Sequence, residues 1–246
     1  MKLITLPKLL RLRWSLLALL VASVFGSGCV ANGRRVLLKE YGPTIPVMAG
    51  DSLNGKTVAL KGFTSAANLV SPDPTTVAVE PESFRYLELS REHDKLWSSE
   101  MRGMQKATKD QGLLIGNMRN GFGMVMSHVY ALNNPAIWLA ESLKFDLEAQ
   151  GAKVVNASQA AAADVAVSGT VQLCRADMYF TVNGTLVVDV EVQVGQGQVK
   201  RKRIHTHGAT AAMLASEGEY FHALRDARQK FSIFVIQEIS AALKSK

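Results

Sequence analysis

Thr185-Leu186-Val187-Val188-Asp189-Val190-Glu191-Val192-Gln193-Val194 is the stretch whose reading decides the fold. On an extended chain Leu186, Val188, Val190, Val192 and Val194 point one way, and Asp189, Glu191 and Gln193 point the other. One face packs and one meets water, as in an antiparallel sheet covered on a single side. Residues 165–182 form a second extended run just upstream, and Asn183-Gly184 lies between the two. An Asn-Gly pair flanked by alternating runs predicts a tight hairpin at that point. Downstream, Gly195-Gln196-Gly197 predicts a turn into a third strand over residues 198–206.

Helices are legible on both sides of this meander. Asn134 can cap a helix over residues 135–150, Pro135 suits its first position, and Gly151 suits a left-handed exit. Ala136, Leu139, Ala140, Leu143 and Leu147 recur at helical spacing and give it one buried face. Ser216 and Glu219 form a capping-box pattern. Leu224, Ala227, Phe231, Phe234, Val235, Ile239 and Leu243 then supply the apolar stripe of a long final helix. Residues 90–108 read as a helix with a thin stripe of Leu96, Met101 and Met104. Shorter strands are expected at 56–63, 76–79, 113–117, 124–130 and 154–155, and a short helix or turn at 160–163. The sum is an α+β fold, a mainly antiparallel sheet with helices packed on one face.

The beginning of the chain speaks of export. Lys2, Lys8, Arg11 and Arg13 precede an apolar run over 14–25 that closes on Gly26-Ser27-Gly28-Cys29. A basic start, a short hydrophobic stretch and small residues at the cleavage point describe a secretory signal peptide over 1–28, too short to span a bilayer. A cysteine directly after small residues resembles a bacterial lipobox, in which Cys29 is acylated (palmitate is the expected chain) and becomes the first mature residue. Val30 and Ala31 follow it with no Asp, which favours the outer membrane, periplasmic face. Residues 29–55, with Gly33, Gly42, Pro43, Pro46 and Gly50, read as the lipidated N-terminus and a flexible tether. A single α+β domain is expected over 56–246, with a long loop and helix insertion at about 64–111.

Charge narrows the function. The chain of 246 residues has 28 basic and 21 acidic side chains. Four of the basic ones belong to the leader, leaving 24 against 21, a mild excess that gives no footing for nucleic acid. Without Cys29 the one remaining thiol is Cys174, a small buried hydrophobe on a strand. His205 and His207 lie two apart, facing the same way on a strand. Two imidazoles begin a zinc or copper site, but no third ligand stands at ligand spacing, so no metal is expected. The basic run Lys200-Arg201-Lys202-Arg203 spreads over both faces of a strand. It reads as a charged edge that discourages aggregation, or as a contact for anionic headgroups. Asn120-Gly121-Phe122-Gly123 lacks the lysine and hydroxyl of a phosphate loop and reads as a plain loop. No nucleophile elbow, zinc-protease helix or paired-carboxylate motif occurs, which argues against an enzyme or a cofactor.

Leu114-Ile115-Gly116 with Arg119, Asn134-Pro135 with Trp138-Leu139, residues 147–155 and Ala163-Asp164-Val165 through Gly169-Thr170-Val171 resemble, in order and spacing, the YajG-like envelope lipoproteins. More loosely they resemble the auxiliary lipoproteins of ABC-type lipid transporters. The resemblance implies a non-enzymatic, lipid-anchored accessory or structural partner of an envelope assembly or transport system. It supplies no catalytic residue. The alternative reading is a periplasmic carrier that takes an acyl chain or other envelope lipid between the sheet and the helices.

Overall fold

The structure, a computed structural model, describes residues 33–48, 53–66, 69, 91–107, 112–120, 122–211 and 216–245. The signal peptide, Cys29 and the strand expected at 76–79 lie outside the described residues.

Eight strands form one sheet: β1 (Arg34–Val36), β2 (Thr57–Ser65), β3 (Leu113–Arg119), β4 (Val125–Ala131), β5 (Lys153–Asn156), β6 (Val165–Tyr179), β7 (Thr181–Val194) and β8 (Val199–Ala211). Among the described residues three α-helices accompany them, α1 (Arg91–Ala107), α2 (Pro135–Ala149) and α3 (Glu217–Lys244). The fold is α+β as expected, but the sheet is mixed, not mainly antiparallel. β1 with β4, β2 with β5, β2 with β6 and β3 with β6 are parallel. The antiparallel pairs are β3–β4 and the long meander β6–β7–β8. Apart from the short turn between β3 and β4, the strands before residue 165 are joined through helices and long segments rather than tight turns. Such connections permit parallel pairing.

β6 organises the sheet. One of its edges takes β7 along its whole length. The other edge takes β2 alongside residues 165–171 and β3 at Met178. Gly116 is what lets β3 approach, since a Cβ there would lie 1.9 Å from the carbonyl oxygen of Ala176.

The hairpin expected at Asn183-Gly184 is instead a turn at Phe180, the one described non-glycine residue with positive φ, at 62°. Tyr179 pairs with Thr181, and Gly184 sits inside β7 between Ala176 of β6 and Gly208 of β8. Hydrophobic register decides the matter. As observed, Val188, Val190, Val192 and Val194 face Val171, Gly169, Val167 and Val165. A turn at Asn183-Gly184 would set the last three valines against Asp177, Arg175 and Leu173, and put Glu191 against Ala176. Burial of a whole face outweighs a local turn preference.

α2 and α3 cover the valine face. Asn134 caps α2 by accepting from the Ala136 amide, and Gly151 leaves it at φ 86°. α3 opens with the capping box of Ser216 and Glu219, both bonds formed. On α1 the inward side is Trp97 and Met101, whereas Leu96 is exposed. The Trp97 ring stacks on Phe221 of α3 at 4.9 Å and donates to the carbonyl of Leu37 at 2.8 Å.

Over residues 33–48 the expected tether is part of this packed body. β1 adds to the sheet beside β4, and Leu37, Leu38, Ile45 and Met48 are buried in the main core. Polar side chains of both covering helices seize the backbone. Asp146 accepts from the Thr44 amide, Gln150 from the Met48 amide, and Gln229 donates to the Thr44 carbonyl. Glycines and prolines here shape an irregular buried path. They do not loosen it.

Candidate binding groove

An open feature lies between the sheet face and the last helix. The turn from β7 into β8 at residues 195–198 stands beside the C-terminal end of α3. Between them lies a cleft of about 420 Å³ floored by Val190, Val192, Ile204 and Val235 and rimmed by Lys200, Lys202 and Glu238. An adjoining hollow of about 370 Å³ runs on past Val194, Gln198, Ala242 and Ser245. Alternation on β7 supplies the apolar floor, and alternation on β8 sends Lys200 and Lys202 to the same side.

The basic run divides between the faces as the strand pattern requires. Arg201 and Arg203 lie on the solvent face and pair with Glu191 at 2.8 Å and Asp189 at 2.6 Å. Lys202 pairs with Glu238 of α3 on the groove side. β8 pairs only with β7 among the described strands, so it is a sheet edge carrying charge.

His205 and His207 share the face away from α3. Ile204, Thr206 and Gly208, which alternate with them, are buried towards the helix, and a Cβ on Gly208 would meet the Ala223 carbonyl at 2.3 Å. His222 rides on α3, on the other side of the sheet. Burial, then the neighbouring His207, hold the His205 imidazole below its usual value of 6.5. Among the described residues no three His, Cys, Asp or Glu side chains gather as a metal would need. Cys174 is fully buried, and burial pushes its thiol up to about 12.

A buried ion-pair cluster had no sequence signal, because its acidic members lie 185 and 82 residues from the arginines they pair with. Arg225 pairs with Glu40 at 3.0 Å, and Arg228 reaches Asp146, all four side chains being at most 3 % exposed. It is sealed in the interior between α2, α3 and the segment after β1. Buried to this degree among the described residues, it acts as a lock between these elements. Near the surface, the Lys39 ammonium and the Tyr41 hydroxyl hold Glu100 below the usual carboxylate range. Burial and that same carboxylate raise Tyr41.

No helix among the described residues is long and apolar enough to cross a membrane. No protein-family model and no curated protein sequence matches the chain. Among solved structures, a Xanthomonas campestris protein described by the family model DUF330 is similar over 85 % of this chain and 99 % of its own, at 12 % identity and TM-score 0.48. A Caulobacter crescentus protein described as a lipoprotein candidate is similar over 44 % of this chain and 82 % of its own, at 14 % identity and TM-score 0.32. Lipoprotein GNA1162 of Neisseria meningitidis is similar over 78 % and 99 %, at 10 % identity and TM-score 0.23.

Proposed function

We propose that this is a non-enzymatic envelope lipoprotein, acylated at Cys29 on the periplasmic side of the outer membrane. There it acts as accessory or structural partner of an assembly or transport system. The observation that carries the reading joins sequence to structure. A lipobox-like leader ends at Cys29, and the packed body begins at Gly33, four residues later. Acyl chains stabilise attachment by about 0.8 kcal/mol per buried methylene, so several chains hold such a body firmly. Membrane fractionation tests this: Cys29→Ala should release the protein or leave it unprocessed. A mutant that is cleaved normally yet stays in the membrane fraction contradicts the anchor.

The groove favours a second reading, a carrier of an acyl chain. Its valine floor and lysine rim match the two ends of an anionic lipid, and its volume falls in the range of small-ligand sites. Mass spectrometry of an organic extract of the purified protein separates the two. A stoichiometric lipid beyond that on Cys29, lost when Val192→Asp blocks the floor, makes it a carrier.

A further inference from the structure

Two turns leave the sheet side by side, and both expose apolar side chains. β3 and β6 run parallel with Met118 opposite Met178, so the turn after Arg119 and the turn at Phe180 lie at the same end. Phe122 is 79 % exposed, Phe180 69 % and Met124 58 %, and Val125, Met126 and Tyr179 are exposed beside them. Single exposed apolar residues are ordinary, but a group of this kind marks a contact surface. The turn between β3 and β4 carries Arg119, and residues 112–140 contain no acidic side chain to oppose an anionic surface.

The direction of β1 names the occupant. β1 runs parallel to β4 with Arg34 opposite Val129, so the chain reaches Arg34 from the end where these turns stand. From Val129 back to Val125 is four residues, about 13 Å of strand, and the Phe122 loop extends further. Cys29 precedes Arg34 by five residues, at most about 17 Å of extended chain. A lipid on Cys29 therefore keeps its leaflet within the distance that the turns already reach.

We infer that the Phe122 and Phe180 turns insert into the leaflet that holds the acyl chains of Cys29. They give the domain a second membrane contact and a fixed orientation. This rests on the anchoring proposed above. Aromatic and methionine side chains suit the interface, where rings and thioethers leave water without unpaired backbone groups entering the hydrocarbon.

The test uses the full lipidated protein in vesicles of phosphatidylethanolamine and phosphatidylglycerol with brominated acyl chains. Phe122→Trp and Phe180→Trp report on the turns. Val47→Trp, beside the C-terminal end of α2 at the opposite end of the sheet, is the control. Trp14 is removed with the leader, and Trp97 and Trp138 are buried and contribute a constant background. The expected result is blue-shifted emission, quenched about twofold or more, for the two turn reporters and not for the control. Unquenched turn reporters in protein that co-floats with vesicles overturn the inference and leave the anchor standing. The same reporters in the mature-length polypeptide, residues 29–246 with Cys29→Ala and therefore without the apolar leader and Trp14, separate the claims the other way. Quenching there on adding vesicles supports insertion even if Cys29 proves unacylated by mass, and its absence in both backgrounds ends the proposal. In that background Phe122→Ser with Phe180→Ser should lower vesicle partition about tenfold. Unchanged partition, or a concentration-dependent dimer lost in the double variant, assigns the turns to a protein contact instead.

Discussion

At the scale of single residues, Gly184 and Gly208 face each other on β7 and β8 directly under α3. Neither needs positive φ. A Cβ on Gly184 would come within 2.4 Å of the Ala223 carbonyl oxygen, and one on Gly208 within 2.6 Å of the Ala227 amide nitrogen. In a strand Gly→Ala ordinarily stabilises. Here each substitution forces the helix away, and we expect Gly184→Ala and Gly208→Ala to cost about 1–3 kcal/mol apiece in urea titrations. The Asn-Gly signal in the sequence is thus real in its glycine and wrong in its meaning. The residue serves a close helix approach that no local pattern announces. Cys174 behaves as expected of a small hydrophobe. With its thiol pushed up to about 12 by burial, it should stay unlabelled by a disulfide reagent until the protein unfolds. His205 offers a pH reading with a definite sign. Its folded-state value lies below the usual 6.5, chiefly through burial. Its contribution is therefore complete above that value and is lost as pH falls below it, because the unfolded chain takes the proton first. His205→Gln should flatten the stability profile between pH 7 and 5, and an unaltered profile would show that His205 is not responsible.

At the scale of elements, α2 and α3 were readable almost to the residue, because caps and apolar stripes are local signals. The positions of β2 to β8 and the order of the β6–β7–β8 meander were readable too, while β1 was taken for tether and the parallel partners were not readable. Parallel pairing of β2 with β6 and of β1 with β4 joins segments about 100 residues apart, and alternation within one strand does not name its neighbour. What fastens α2 to α3 was invisible for the same reason. Arg228 is fully buried and bonded to Asp146, with Ser232 as a further partner at 3.3 Å. Stranding one charge of a buried pair costs about 3–5 kcal/mol, whereas apolar replacement of both is far milder. We expect Asp146→Leu alone to reduce stability by that amount. Adding Arg228→Met should restore much of it, and a denaturation double-mutant cycle reads the difference. Two strictly additive losses would show that the pair is not energetically coupled.

At the scale of the whole molecule, the division into tether and domain is what the sequence misjudged. Glycines and prolines over residues 33–48 suggested looseness. Only the partners, 60 to 185 residues away, make that path a buried one. A chain shortened to begin at Leu53 should therefore lose its cooperative melting transition, while one beginning at Asn32 should keep it. The candidate groove was half legible: its valines and its basic rim stood out, but not the hollow they enclose with α3. The basic run is at the end of the sheet away from the Phe180 turn, since Lys202 precedes Ala211 by nine residues, about 30 Å of strand. That is several screening lengths at physiological salt. Lys200→Gln with Lys202→Gln should thus leave vesicle attachment unchanged, and a drop would place the groove at the lipid surface. The pairing of Glu40 with Arg225 bears on the order of events in time. The first packed segment is clasped by the last helix across 185 residues, and closing so long a loop must precede any reward from the contact. A chain exported as proposed above, emerging end-first from a translocation channel, lacks its own keystone until α3 has crossed, and it stays threadable up to that point.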